Sequence, residues 1–191
     1  MAMTSVKICG VRDPDTASYC FAAGADFVGL VLTTSRRQIG LDDARRILQT
    51  VAGRFVAVMK DVDGAQLEAV CRLPFYAVQI HGTAPVDWIE RVHSSGQVAI
   101  ATAFREDADI VLLDGEEPGS GRGRDWERPL WPRPIWLAGG LNPGNVRQVV
   151  RRLRPDGVDV SSGVERDGAK ERDLVRRFME EVRHGDDETG A

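Results

Sequence analysis

Two apolar runs in the C-terminal half of this 191-residue chain end alike. Residues 135–138 stop at Gly139-Gly140, and residues 158–160 stop at Ser161-Ser162-Gly163. Glycines and small hydroxyl residues directly after a strand let backbone N–H groups converge on an anion, and a helix that follows adds the positive end of its dipole. Either stretch alone reads as a turn; placed in tandem, the two would grip one phosphate. Three more apolar runs end in groups that could act on whatever the phosphate carries. Cys9 closes residues 6–9 just before Gly10, His81 follows residues 76–80, and Asp114 follows residues 110–113. A thiol can remove a proton where its surroundings favour the thiolate, and a carboxylic acid can deliver one where burial raises its pKa. Arg36 and Arg37, in the polar loop after residues 27–32, could clamp a carboxylate through the guanidinium fork. His81 could orient a ligand or a loop. A thiol and a carboxyl group across a phosphate-anchored pocket describe proton transfer that needs neither metal nor cofactor.

Such residues, scattered from position 9 to position 163, meet only if the chain returns repeatedly to one place. The apolar runs at 6–9, 27–32, 55–59, 76–80, 98–103, 110–113, 135–138 and 158–160 read as buried strands, and helical patterns alternate with most of them. Asp13-Pro14 starts the first helix and Gly24 ends it; helices follow at 42–51, 65–71 and 86–92, and Asn142-Pro143 caps the seventh. Alternating strands and helices imply a parallel sheet with right-handed crossovers, and about eight strands imply closure. The expected fold is a compact (β/α)8 TIM barrel occupying residues 1–185. Its C-terminal strand ends would gather the candidate residues on one face. Residues 104–109 are too few for a usual helix, so the fifth helix is expected to be missing or reduced. The loop through Gly119, Gly121 and Gly123 to Asp125-Trp126 is a candidate lid. The last helix turns Leu174, Val175, Phe178, Met179 and Val182 inward, Gly185 is expected to stop it, and residues 186–191 to form a flexible tail.

Composition narrows the partners. The net charge of −4 and the interspersed acids and bases exclude a nucleic-acid stripe. Three cysteines without CxxC spacing indicate neither a disulfide framework nor a cysteine zinc site, so the chain reads as cytoplasmic. No apolar run approaches the length of a membrane span, and no signal-peptide core is evident. His81 is the one histidine at a strand end, whereas His93 and His184 fall on helices, too little for a metal-dependent site. The expected partner is a small phosphorylated substrate, with the chain a monomer or homodimer.

The segments Lys7-Ile8-Cys9-Gly10, Val78-Gln79-Ile80-His81-Gly82, Leu112-Leu113-Asp114, Leu137-Ala138-Gly139-Gly140-Leu141-Asn142-Pro143 and Val158-Asp159-Val160-Ser161-Ser162-Gly163-Val164-Glu165 resemble the phosphoribosylanthranilate isomerase family. So do Ala25-Asp26-Phe27-Val28-Gly29-Leu30-Val31 and Gly119-Ser120-Gly121 with Asp125-Trp126; the likeness runs over residues 6–178. The resemblance implies an Amadori rearrangement in tryptophan biosynthesis, in which the ribosylamine of anthranilate opens to a Schiff base and becomes an aminodeoxyribulose phosphate. Asp114 would be the general acid on the ring oxygen and Cys9 the general base at C2. Arg37, or failing it Arg36, would hold the anthranilate carboxylate, and the loops at Gly139-Gly140 and Ser161-Ser162 would hold the phosphate. The chain departs from the family pattern at Val58-Met59-Lys60-Asp61, in a shortened second loop, and in a fifth strand without its lysine. These departures leave two alternatives: an isomerase of another phosphorylated aminosugar, and a barrel that only binds a phosphorylated metabolite.

Overall fold

The computed structural model describes residues 3–114 and 130–190. Eight strands pair in parallel in chain order: β1 (Ser5–Cys9), β2 (Phe27–Val31), β3 (Phe55–Lys60), β4 (Ala77–His81), β5 (Val98–Ala101), β6 (Ile110–Leu113), β7 (Ile135–Leu137) and β8 (Gly157–Val160). β8 returns to pair with β1, closing the expected barrel. Outside it lie α1 (Pro14–Ala22), α2 (Leu41–Thr50), α3 (Gly64–Cys71), α4 (Trp88–Ser94), α5 (Val146–Leu153) and α6 (Arg172–Glu188). Their starts follow local chemistry. Asp13 accepts from the Thr16 amide ahead of Pro14, and Asp63 and Gln66 satisfy one another's backbone as a capping box. No helix joins β5 to β6. Residues 102–109 cross there in turns, and fully buried Ala108 packs on the outside of the barrel where a helix would otherwise sit.

Side chains alternate across a strand, so each strand of a closed barrel sends one set inward and the other toward the helices. The outward set, including Val6, Ile8, Val28, Leu30, Val78 and Ile80, joins the helices in one large core. The inward set begins apolar. Phe27 packs 5.0 Å from Trp136 and 5.5 Å from Tyr76, and Arg54 lies 5.2 Å above the Tyr76 ring, plugging the end where the strands start. Toward the other end the inward positions turn polar: Lys7, Gln79 and Asp159, then Cys9, His81 and Ser161.

Three expectations need correction. Gly185 does not stop the last helix, which runs on to Glu188. A Cβ at Gly185 would come 2.8 Å from Val150 Cβ, so this glycine lets α6 approach α5 closely and has no capping role. Nor do residues 186–191 begin a free tail: Asp186 is buried, accepts from the Thr4 amide and hydroxyl, and pairs with Arg183. Asn142-Pro143 also does not cap α5 directly. Asn142 accepts from the Gly144 amide to build a turn, and the helix starts after Asn145. The candidate lid with Gly119, Ser120, Gly121, Gly123, Asp125 and Trp126 lies outside the described residues.

Candidate functional site

The carboxyl ends of the strands open onto one cavity, lined by Cys9, Arg37, His81, Asp114, Gly139, Gly140, Ser161 and Ser162, with Gln79 and Asp159 deeper in. Most of the scattered candidates are thus neighbours. Two are not on its wall. Arg36 is 63% exposed at its side chain and points to Glu165 from outside, and Gly163 packs beneath the loop. A Cβ at Gly163 would collide with the Leu141 carbonyl, which shows how closely the loops after β7 and β8 are pressed together. Gly139 and Gly140 both take left-handed backbone, with φ of 85° and 69°.

The second loop is built differently from the strand–turn–helix expectation. A single 3-10 turn, Ser162–Val164, and a hairpin of β9 (Glu165–Arg166) and β10 (Ala169–Lys170) separate β8 from α6. The Ser161 hydroxyl is already engaged: it donates 2.9 Å to the Cys9 carbonyl, and Lys170 Nζ donates to its Oγ and to its carbonyl. Ser161 therefore offers an anion its backbone more than its side chain.

Glu165 is the organising residue that the reading of single strand ends missed. Its carboxylate accepts from Arg37 Nε at 2.6 Å and Nη2 at 2.8 Å, and from Lys170 at 2.7 Å. Burial alone would raise this acid, but Arg37 and Lys170 outweigh it and bring its pKa to about 2. Arg37 thus lines the cavity with its Nε and Nη2 held by Glu165.

Cys9 lies at the floor, 8% exposed. Burial pushes its thiol up; Lys7 and Lys170 pull the other way and Asp159 adds to the rise. The ligand-free pocket thus holds a thiol, so the environment on its own does not favour the thiolate. His81 is pushed down by burial and by Lys7, and its neutral ring faces Gln79 Nε2 at 2.6 Å. Asp114, two residues beyond inward-facing Leu112, stands exposed at the rim of the cavity. Lys7 and Asp159 also escaped the sequence reading. The signal was present, because each sits two residues before a candidate, at Cys9 and at Ser161, and so shares its inward face.

The family departures fall largely beside this site. Asp61 adopts left-handed backbone and accepts from the Thr83 amide, tying the loop after β3 to that after β4. Just after β5, Thr102 donates to the Ile80 carbonyl. Among the described residues no group of His, Cys, Asp or Glu could hold a metal ion.

A closed parallel eightfold barrel with thiol, acid, arginine and glycine loops around one cavity at its carboxyl rim defines the class: a (β/α)8 barrel. The chain belongs to the N-(5'-phosphoribosyl)anthranilate isomerase family, whose model matches residues 6–181. It is 34% identical to the Streptococcus pneumoniae (strain Taiwan19F-14) N-(5'-phosphoribosyl)anthranilate isomerase, over 96% of this chain and 98% of that one. A phosphoribosyl anthranilate isomerase solved with reduced 1-(o-carboxyphenylamino)-1-deoxyribulose 5-phosphate superposes with a TM-score of 0.78 at 31% identity, covering 95% and 99% of the two chains. Monomers generated from the dimeric Thermotoga maritima enzyme give 0.76 at 29%, again over 95% and 99%.

Proposed function

We propose that the chain isomerises N-(5'-phosphoribosyl)anthranilate to 1-(2-carboxyphenylamino)-1-deoxyribulose 5-phosphate, an Amadori rearrangement of tryptophan biosynthesis. One observation carries the reading: Cys9, Asp114, Arg37 and both glycine or serine loops converge on one cavity of a chain belonging to this family. The loops at Gly139-Gly140 and Ser161-Ser162 take the phosphate through backbone N–H groups. Arg37, steadied by Glu165, takes the anthranilate carboxylate, and Arg36 supports Glu165 from outside. Bound between these anchors, the sugar lies over the floor. Asp114 protonates the ring oxygen as the ring opens to the Schiff base, and Cys9, once deprotonated, removes the proton from C2. Neutral His81 orients ligand or loop by hydrogen bonds without adding charge. The enzyme works in the cytoplasm, as a monomer or a homodimer. Among the described residues no helix is long and apolar enough to cross a membrane.

Loss of anthranilate fluorescence on turnover tests this directly. Cys9→Ser and Asp114→Asn should each lower kcat by roughly 100-fold to 10,000-fold, the usual worth of a positioned acid or base. An intact protein without activity, whose two variants bind the substrate no worse than it does, would refute the proposal.

A further inference from the structure

Below the reactive residues the barrel holds a charged pair that this scheme does not use. Lys7 is wholly buried, with its ammonium nitrogen 2.9 Å from Asp159 Oδ2. The two are register partners on β1 and β8. Lys7 and Cys9 stand two apart on β1, facing the same side. Gly29 on β2 lies across from both, because a Cβ there would come 3.0 Å from Cys9 Sγ and 3.1 Å from Lys7 Cε. Burying two ions costs several kcal/mol each in lost hydration, and apolar replacements of such pairs are often neutral or stabilising. A barrel interior thus gains little stability from the pair; its place beside the thiol gives another reason to keep it.

We propose that Lys7, held charged by Asp159, is a positioning residue for the base: its ammonium is the counter-charge on which the Cys9 thiolate forms. The inference rests on the reading of Cys9 as base. In this scheme Cys9 gives its thiol proton to solvent, the thiolate takes the C2 proton, and Lys7 and Asp159 begin and end in the same protonation states. Lys7 acts on the sulfur as a nearby positive charge, which favours the thiolate. Burial works against the charge on Lys7, but Asp159 and Cys9 together outweigh it and hold the ammonium form. The other groups facing Cys9 are less suited. Lys170 on β10 and Arg37 after β2 are committed to Glu165, His81 on β4 is neutral, and Asp114 after β6 carries the wrong sign.

The test is the titration of Cys9 in ligand-free protein, followed by ultraviolet thiolate absorbance as the difference from Cys9→Ser, which cancels Cys20 and Cys71. Two variants are compared with wild type, Lys7→Met and the apolar double replacement Lys7→Met with Asp159→Leu, the latter chosen because it leaves no unpaired buried charge. In Lys7→Met the Cys9 titration should move up by about 1–3 pH units, the effect of one nearby opposite charge; in the double variant, which also loses the Asp159 charge that opposes Lys7, it should move the same way by less. At neutral pH kcat should fall by up to about tenfold per unit and recover at higher pH by the same displacement, with KM changed far less. A purely structural role would leave the titration where it is. A folded double variant whose Cys9 titrates as in wild type overturns the proposal, and so does a double variant that cannot fold, since the pair would then be a packing requirement. If the titration moves but Cys9→Ser remains fully active, the coupling stands and the assignment of Cys9 as base falls.

Discussion

Replacing Glu165 with Gln is the sharpest probe of how the two halves of the rim are held together. The carboxylate binds Arg37 through two nitrogens and Lys170 through a third, and its side chain is only 5% exposed. Its pKa falls from the ordinary glutamate value of 4.5 to about 2. At about 1.4 kcal/mol per unit this corresponds to roughly 3 kcal/mol of folding stability. The partners do not agree on that figure: Arg37 is raised by the pair, whereas Lys170 is lowered because its burial costs more than Glu165 returns. About 3 kcal/mol is therefore a ceiling. An acid depressed in the folded state contributes fully above its unfolded pKa, and the contribution drains away as pH falls through the folded value. Urea denaturation of wild type and Glu165→Gln should show the largest gap at neutral pH. By about pH 3 roughly half or more of it should be gone, since only about one unit of the shift then remains. KM for the carboxylated substrate should rise at neutral pH more than kcat falls, because Arg37 loses its anchor. A gap that is absent at neutral pH, or the same size at about pH 3, would refute the account.

Two further substitutions test other joints. Gly163→Ala would drive a methyl group into the Leu141 carbonyl and part the loops after β7 and β8; KM should rise about tenfold or more, some 1.4 kcal/mol of binding, and an unchanged KM would remove those loops from phosphate binding. Asp186→Ala strips the buried Thr4 amide and hydroxyl of their acceptor and should cost about 1–3 kcal/mol in denaturant unfolding. Activity of the protein that remains folded should be unchanged. A loss under about half a kcal/mol would return residues 186–190 to the status of a tail.

What could be read from sequence and what could not divide along a physical line. Strands of a parallel barrel are short apolar runs ended by glycine, serine or a charged residue, so their order, their closure and the missing fifth helix were all visible in the spacing of such runs. Residues at strand ends were visible for the same reason: Cys9, His81, Asp114, Gly139, Gly140 and Ser161 each interrupt a run. Gly185 misled because one residue type serves two ends; an achiral backbone and an absent side chain look alike in sequence, and here the absent side chain matters, against Val150. Glu165 stayed hidden because its partners come from loops 128 positions and 5 positions away. Lys7 and Asp159 stayed hidden for a subtler reason. A lone charge within an apolar run reads as an outward residue, yet in a closed barrel the alternation of side chains ties every second position to the same interior. Counting back by two from Cys9 and from Ser161 reaches both, and the same step from His81 and from Asp114 reaches Gln79 and Leu112. The strand-end residues thus disclose the layer beneath them once closure is assumed: polar under the thiol, apolar under the acid. The thiol at the end of β1 is the one with a cation below it.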